Sequence, residues 1–377
     1  MHKARCVKMK GEYLAMRGGG AEADDSNTVV HLTSKQCIDV FLEELETTQT
    51  PRTAIRTLRI DGSAPITLPE SVGKLTELKG FELTGNKLSL SVLPNSIGTL
   101  THLVTLKLSR NLLTALPGSV GNLVNLAVLW LDSNEFTSLP ETIGDLAALT
   151  TLVLDNNYLT SLPILGNLTK LETLCVHKNR LTALPESVGA LQSLRTLQVE
   201  HNRLTALPNG VGALRSLRVL TLNDNELTEL PESMGTLPTL RTLKLTNNHL
   251  TALPETFDGS HLTALQLLDA GSNGLTSLPE RIGSLTSLTM LSLEGNKLTA
   301  LPKSIRNMAK LEYINIIGNN ITILPQSLEA FFKNKTTVGI SVEMYGSAPQ
   351  PKPNSITDDR LCCLHKETYG WRRTRPE

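Results

Sequence analysis

Aromatic residues are scarce in this chain: Phe, Trp and Tyr make up 3% of its 377 residues, although 40% of the residues are apolar. A conventional globular core uses more aromatic side chains than this. A core built almost wholly from Leu, Ile and Val indicates one packing arrangement that is repeated many times.

The chain also lacks an excess of charge of either sign, because 36 Lys and Arg residues balance 36 Asp and Glu residues. This balance gives no indication of binding to nucleic acid or to an anionic membrane. No segment is apolar over about 18 consecutive residues, so no membrane span is predicted. The first 20 residues lack the apolar run of a secretory signal, so we expect no signal peptide.

Cysteine is scarce too, with five residues in the whole chain. They form no paired clusters at the two ends, so the sequence predicts no disulfide framework. Together with the expected lack of a signal peptide, this pattern favours a reducing, cytoplasmic location.

What the chain does contain is one motif, Leu-x-x-Leu-x-Leu-x-x-Asn-x-Leu, which recurs through residues 78–321 with occasional apolar replacements. Eleven good copies follow one another, and a weaker copy begins at Ile55. Most steps are 23 residues long, whereas the steps after Leu78 and Leu240 are 25 and the step after Leu149 is 22. A nearly fixed period of this length predicts a solenoid of about 12 stacked units.

Each position of the motif has a physical reason. The Leu-x-Leu centre alternates as a short strand does, so Leu129 and Leu131 point inward and Trp130 points outward. The asparagine side chain can hydrogen-bond backbone groups of the turn that would otherwise be buried and unpaired. We therefore predict an asparagine ladder, made of Asn86, Asn111, Asn134, Asn157, Asn179, Asn202, Asn225, Asn248, Asn273, Asn296 and Asn319.

A Leu-Pro pair follows in every copy, as at Leu116 and Pro117. Proline fixes φ and cannot donate to a ladder, so it turns the chain onto the outer side. The next element is Val/Ile-Gly-x-Leu, whose glycine is expected to permit a tight turn. The pattern predicts a curved parallel sheet on the concave face and short helical or 3-10 turns on the convex face.

The complete unit, Leu-Pro-x-x-Ile/Val-Gly-x-Leu-x-x-Leu-x-x-Leu-x-Leu-x-x-Asn-x-Leu-Thr, resembles the repeat of intracellular leucine-rich-repeat proteins. These include plant Ras-group-related proteins, Ras-pathway scaffolds and the Scribble/Erbin type. The resemblance covers about residues 55–328 and implies an α/β solenoid with a horseshoe shape. It also implies a non-enzymatic scaffold without a cofactor, which binds another protein in signal transduction, often a small GTPase or a phosphatase.

A solenoid needs caps on its end units. Thr33-x-x-Gln36 resembles a capping box, and Ile38, Phe41 and Leu45 follow at helical spacing. The predicted organisation is a disordered tail (1–27), a helical cap (28–51), the solenoid (52–328), a C-terminal cap (329–345) and a flexible tail (346–377).

A candidate protein-binding surface follows from lining up the outward positions, because neighbouring strands lie about 4.8 Å apart. Between the inward leucines, Trp130, Val153 and Cys175 are neighbours. An exposed tryptophan with apolar neighbours is typical of a binding hot spot. The alternative is that Trp130 simply lies flat over the adjacent strands.

A partly acidic strip lies two positions further along each strand, and it would select a charged partner unless it is an ordinary solvated surface. The complete candidate surface consists of Lys107, Trp130, Asp132, Val153, Asp155, Cys175, His177 and Glu200.

Two further rows are visible. Arg195, Arg218 and Arg241 occupy one position in three successive copies and could bind an acidic peptide or a phosphate. The alternative is a lateral surface row that is balanced by Glu186, Glu226 and Glu232. Leu267, Met290 and Tyr313 form an apolar row, which either binds a partner or is covered by the chain's own C-terminal segment.

Two other functions stay open. Cys175, His177, Glu200 and His201 are of types that can bind Zn²⁺, so an enzyme or metal-binding subunit is one alternative. No spaced Cys/His motif supports a metal, and an open sheet provides no oxyanion hole. The other alternative is a repeat protein of the pathogen-recognition or virulence type.

Overall fold

A computed structural model describes residues 7–9, 12–14, 28–47, 55–61, 66–84, 90–322, 328, 331 and 337–339. Two short strands near the start, β1 (Val7–Met9) and β2 (Glu12–Leu14), form an antiparallel pair. An α-helix, α1 (Lys35–Thr47), follows β3 (Thr28–Leu32) in the chain. The rest of the described chain alternates between short strands and short outer turns.

Fourteen strands of the described chain form one parallel sheet in which every strand pairs with its neighbours in sequence. They are β3 (Thr28–Leu32), β4 (Ile55–Asp61), β5 (Gly80–Thr84), β6 (Thr105–Lys107), β7 (Val128–Trp130), β8 (Thr151–Val153), β9 (Thr173–Cys175), β10 (Thr196–Gln198), β11 (Val219–Thr221), β12 (Thr242–Lys244), β13 (Leu267–Asp269), β14 (Met290–Ser292), β15 (Tyr313–Asn315) and β16 (Thr337–Gly339).

The convex side carries 3-10 turns, each with the backbone of the preceding repeat beside it. They span Glu70–Lys74, Asn95–Thr99, Gly118–Asn122, Glu141–Asp145, Glu186–Ala190, Asn209–Ala213, Glu232–Thr236, Ile282–Ser284 and Lys303–Asn307. Most begin directly after the repeat proline, whose carbonyl accepts the first hydrogen bond of the turn, as from Val120 N to Pro117 O at 3.1 Å. The predicted solenoid, with a parallel sheet inside and 3-10 turns outside, is confirmed.

The inward side chains of successive repeats form one continuous core. Leu126, Leu129 and Leu131 are 0% exposed, and so are their equivalents in nearly all other copies. No single repeat could bury these side chains alone, so the core exists only because the repeats stack.

The asparagine of each repeat joins that core to its neighbours. Asn157 Nδ2 donates to Leu131 O of the preceding repeat at 3.0 Å and to Leu154 O of its own repeat at 2.9 Å. Its Oδ1 accepts a hydrogen bond from Phe136 N at 3.1 Å. The same three bonds recur at Asn134, Asn179, Asn202, Asn225, Asn248, Asn273, Asn296 and Asn319.

At the N-terminal end of the ladder, Asn111 Nδ2 donates to Leu83 O and Leu108 O, as its counterparts do. The predicted first member, Asn86, lies outside the described residues.

Glycine occupies its position in the Val/Ile-Gly-x-Leu element for a different reason from the one that we predicted. Its φ is not positive, so it does not serve a strained turn. A Cβ added to Gly98 would lie 2.4 Å from Ser119 O, and one added to Gly283 would lie 1.9 Å from Ser304 O. At these glycines the neighbouring repeat approaches too closely for any side chain, whereas at Gly166 the nearest atom would be 3.5 Å away. The tight-turn explanation was wrong.

Two of the three changes in repeat length fall on the convex side. The third, in the step after Leu78, falls between Asn86 and Leu93, where residues 85–89 lie outside the described chain. In the 22-residue repeat, between β8 and β9, and in the 25-residue repeat, between β12 and β13, the described chain contains no 3-10 turn. The strand register nevertheless continues, with Leu152 opposite Leu174 and Leu243 opposite Leu268. The concave face thus keeps its geometry where the sequence period slips.

The ends of the solenoid hold more strands than the motif suggested. Within the predicted helical cap, α1 buries Ile38, Phe41, Leu42 and Leu45. The cap also contributes β3, which pairs in parallel with β4, so the sheet begins before the first recognised copy. β1 and β2 lie within the segment predicted as a disordered tail, and β16 extends the sheet within the predicted C-terminal cap. The division into five segments stays a prediction, and residues 340–377 lie outside the described chain.

Candidate interaction surface

The concave face is built from outward side chains that the strand register places side by side. Lys107, Trp130, Val153, Cys175 and Gln198 are successive register partners across β6 to β10. The inward leucines hold these strands in place, because a slip of one residue would expose the core.

Trp130, Val153 and Cys175 form a small cluster of their own, which Val128 joins from the edge. Trp130 is 8% exposed, Val153 1% and Cys175 0%. The expectation of an exposed tryptophan was therefore wrong. With strands about 4.8 Å apart, large side chains in one row bury each other.

Lys107 lies over the edge of this cluster. Its Nζ is 4.4 Å from the centroid of the Trp130 ring and 3.3 Å from Glu82 Oε1. Glu82 Oε2 also lies 3.0 Å from Arg59 Nε. The row therefore begins with a chain of alternating charges that ends on the ring, where the cation is attracted by the π electrons.

The neighbouring strip holds two buried carboxylates, Asp132 and Asp155. The Ser109 hydroxyl donates to Asp132. Asp155 Oδ1 accepts a hydrogen bond from His177 N at 2.9 Å and lies 2.8 Å from His177 Nδ1. Burial raises the pKa of Asp155 above its usual value, the charge of Asp132 adds to this effect, and His177 opposes it.

The candidate metal ligands use their polar atoms elsewhere. Cys175 Sγ donates to Gln198 Oε1 at 3.0 Å, and Glu200 accepts a hydrogen bond from the Thr221 hydroxyl. His201 lies beyond the strand, with Nδ1 3.2 Å from Asp224 Oδ2. Among the described residues, no three His, Cys, Asp or Glu side chains are grouped so that they could hold a metal. The fully buried Cys175 thiol also offers no nucleophile to a substrate.

The arginine row lies at the edge where the strands begin. Arg195, Arg218 and Arg241 are exposed and directly precede β10, β11 and β12. Arg195 Nη1 lies 3.3 Å from Glu172 Oε2. Arg218 and Arg241 make no ion pair with any described residue.

None of the three glutamates that were expected to balance this row makes an ion pair with it among the described residues. Glu186 and Glu232 lie on the convex side, where their carboxylates accept hydrogen bonds from Gly210 N (3.2 Å) and Thr256 N (3.1 Å) of the next repeat. Glu226 follows Asn225, at the opposite edge of the sheet. Charge balance of the row by these glutamates stays a prediction, because a carboxylate that accepts backbone hydrogen bonds keeps its negative charge.

The apolar row Leu267, Met290 and Tyr313 is half-buried, and the three residues are register partners across β13, β14 and β15. Burial raises the pKa of Tyr313, and the charge of Glu294 adds to it. Coverage of this row by the C-terminal segment remains a prediction, because residues 340–377 lie outside the described chain.

Sequence reasoning missed the residue before each ladder asparagine. It has a positive φ, for example 58° at Ser133, 55° at His201 and 64° at Gly295. The signal was present in the sequence, because Gly, Asn, Ser and Asp are frequent at this position and tolerate the left-handed region. This turn carries His201 and Asp224 past the end of the strands and away from the concave centre.

The chain matches a family model described as "Leucine-rich repeat region" at residues 97–183 and 209–295, and a second, "Leucine rich repeat", at residues 169–227. None of the curated proteins that were compared matches it. Within the described residues, no helix has both the length and the apolar character needed to cross a membrane.

Several solved structures are similar. A leucine-rich-repeat protein of Leptospira interrogans is 32% identical, with a TM-score of 0.69 over 79% of this chain and 80% of that one. An internalin from Listeria monocytogenes is 22% identical, with a TM-score of 0.64 over 80% of this chain and 82% of its own. The plant peptide hormone receptor RGFR1 in complex with RGF2 is 24% identical, with a TM-score of 0.52 over 76% of this chain and 59% of that chain. The last two show similarity of fold alone.

Proposed function

Because this chain belongs to the leucine-rich-repeat family, we propose that it is a non-enzymatic scaffold that binds another protein on its concave face. The observation that carries the proposal is the contrast between equivalent positions. The inward row is almost uniformly leucine, whereas the outward row changes from Lys107 to Trp130, Cys175 and Lys244. A purely structural row has no need of this variety, but a row that recognises a partner does.

Within the candidate surface, the exposure of each side chain suggests its part in binding. Lys107, His177 and Glu200 are partly exposed and would contact the partner directly. The buried members support them from beneath: Trp130, Asp132, Val153, Asp155 and Cys175. The proposed contact surface is therefore polar, over an apolar and carboxylate base.

The pathway is proposed from the resemblance of the repeat, which suggests signal transduction with a small GTPase or a phosphatase as the partner. The plant receptor RGFR1 supports the proposal that the chain binds another molecule, since its fold is similar and its structure was solved in complex with RGF2.

The test uses side chains whose removal should leave the fold intact. Lys107→Gln with Glu200→Gln changes the concave surface without changing net charge. Lys303→Gln with Glu255→Gln is the matched control, because both residues are exposed on the convex side. Trp130→Ala is unsuitable, because a side chain that is only 8% exposed also contributes to stability.

Proximity labelling in cells, followed by binding measurements with the purified partner, should find a protein whose affinity falls about tenfold in the concave variant. The convex control should bind as the wild type does. Equal binding by the wild type and both variants, with circular dichroism confirming folding, would reject the concave site.

For location, we propose the cytoplasm, because cysteine is scarce in the chain, with five residues in all. Cys37 is disulfide-bonded in the structure, and oxidising compartments favour such a bond. Thiol counting by mass spectrometry, after rapid alkylation of cells, is therefore decisive: five alkylated cysteines support the cytoplasm, and an oxidised Cys37 supports export and the recognition or virulence type.

A further inference from the structure

We propose that Arg195, Arg218 and Arg241, here called the arginine edge, bind an acidic segment of the partner protein. This inference deepens the proposed function and rests on it, because it assigns the chemistry of the partner. The arginine edge would be a second docking point, beside the concave surface and at the end where the strands begin.

The backbone holds the three arginines at regular positions. Arg218 N donates to Arg195 O, and Arg241 N donates to Arg218 O, each at 2.8 Å. The three side chains therefore start from adjacent strands, about 4.8 Å apart. The result is a short row of guanidinium groups with fixed bases and exposed ends.

The positive charge of this row is poorly neutralised by the chain itself. Only Arg195 has an ion pair among the described residues, with Glu172 at the end of the row. At the other end, the next two equivalent positions are the uncharged Gln266 and Thr289. Arg215, three residues before Arg218, donates instead to Thr236 O of a convex turn, at 3.0 Å.

The adjoining concave positions add no negative charge close to the arginines. The outward residues that follow them in β10, β11 and β12 are Thr196, Val219 and Thr242. Further along β12, Lys244 adds another cation. The glutamates that could have approached, Glu186 and Glu232, hold backbone amides on the convex side.

The dimensions fit an extended protein segment. The two outer arginines start about 9.6 Å apart, which is close to the length of three residues of extended chain. Carboxylates at positions i and i+2 of such a segment project to the same side about 6.6 Å apart, which lies within the span of the three arginines. A planar guanidinium can bind a carboxylate through two parallel hydrogen bonds. A nucleic acid fits less well, because its affinity depends on many phosphate contacts and the chain as a whole has no excess of positive charge, with 36 Lys and Arg residues against 36 Asp and Glu residues.

The test measures binding of a fluorescein-labelled peptide of eight glutamates to the full-length protein by fluorescence anisotropy at low salt. Arg218→Gln with Arg241→Gln should weaken binding about tenfold, and Arg218→Lys with Arg241→Lys should cause a smaller loss, because lysine keeps the charge but not the bidentate geometry. Arg203→Gln with Arg306→Gln is the matched control, since it removes the same charge from exposed positions elsewhere, and it should bind within about twofold of the wild type.

Two results would overturn the proposal: equal weakening by the test and control variants, or tighter binding of a labelled single-stranded oligonucleotide than of the glutamate peptide. The concave variant Lys107→Gln with Glu200→Gln separates this proposal from the proposed function. Glutamate binding that depends on the arginine edge, without any partner that depends on the concave residues, rejects the proposed function and leaves the anionic site standing. A partner that depends on the concave residues, without glutamate binding, rejects the arginine edge alone.

Discussion

The two sides of the parallel sheet differ less in burial than in chemistry. Leu152 points inward and Val153 points outward, yet they are 0% and 1% exposed. Leu152 belongs to the continuous core, whereas Val153 belongs to the small cluster with Trp130 and Cys175. Burial alone therefore does not distinguish a structural row from a recognition row, and the uniformity of the row along the solenoid is the better guide.

Polar residues show the same contrast. The ladder asparagines on the inner side bind backbone atoms, and those from Asn134 to Asn319 all make the three bonds that Asn157 makes. On the outer side the partners change from repeat to repeat: Asp132 accepts a hydrogen bond from the Ser109 hydroxyl, Asp155 accepts one from His177 N, and Asn223 accepts one from Thr246 N. One polar row stabilises the fold, and the other differs from place to place.

The largest effect is expected from a substitution in the inner row. Leu152→Ala should lower the free energy of unfolding by about 2–5 kcal/mol, because it leaves a cavity in the core. Val153→Ala should cost less, about 1–2 kcal/mol, since its cluster is small and can adjust. Urea unfolding measures both, with Leu112→Ala as the control, because that leucine is 45% exposed. An equal cost for Leu152→Ala and Val153→Ala would contradict the distinction between the rows.

A smaller effect is expected from the ladder. Asn157→Ala removes hydrogen bonds to Leu131 O and Leu154 O and leaves Phe136 N unpaired. The expected cost is about 1–3 kcal/mol, as for other buried groups that lose their partner. Thermal unfolding of Asn157→Ala is compared with that of the exposed Asn167→Ala, which should melt as the wild type does. A variant of Asn157 that melts with the wild type would show that water replaces the side chain.

The smallest expected effect is a pH-dependent change in stability that comes from the outer carboxylate Asp155. Because the pKa of Asp155 is raised, the folded protein binds more protons than the unfolded one between the usual carboxyl pKa and the raised value. Ionisation of Asp155 therefore lowers the free energy of unfolding as the pH rises through this window, and the free energy stays lowered at higher pH. Asp155→Asn should melt with the wild type at low pH and slightly higher at neutral pH. Asp145→Asn, at an exposed carboxylate, should show no such difference, and a lower melting temperature of Asp155→Asn at neutral pH would mean that His177 outweighs burial.

The repeat made most of the fold predictable, since leucine spacing, asparagine and proline each have one structural role. β3 was not predicted because it carries no copy of the motif, and the helical spacing of apolar residues in α1 gave the clearer pattern in this segment. The exposure of Trp130 could not be inferred from its outward position, because it depends on the sizes of Lys107 and Val153 and on how closely the strands approach. The roles of Glu186 and Glu232 depend on backbone amides of the next repeat, which spacing within one repeat does not reveal.

The asparagine ladder has a consequence for how such a chain can change length. Each ladder residue offers donors to the unit before it and its own unit, and it accepts from the unit before it, in the same geometry along the described solenoid. Every internal repeat therefore makes the same backbone contacts with the repeat before it and the repeat after it. If a whole repeat is removed or duplicated, the neighbouring repeats can make all of these contacts again, so the solenoid can be shortened or lengthened by whole repeats. The outward residues take no part in these contacts and can be exchanged independently.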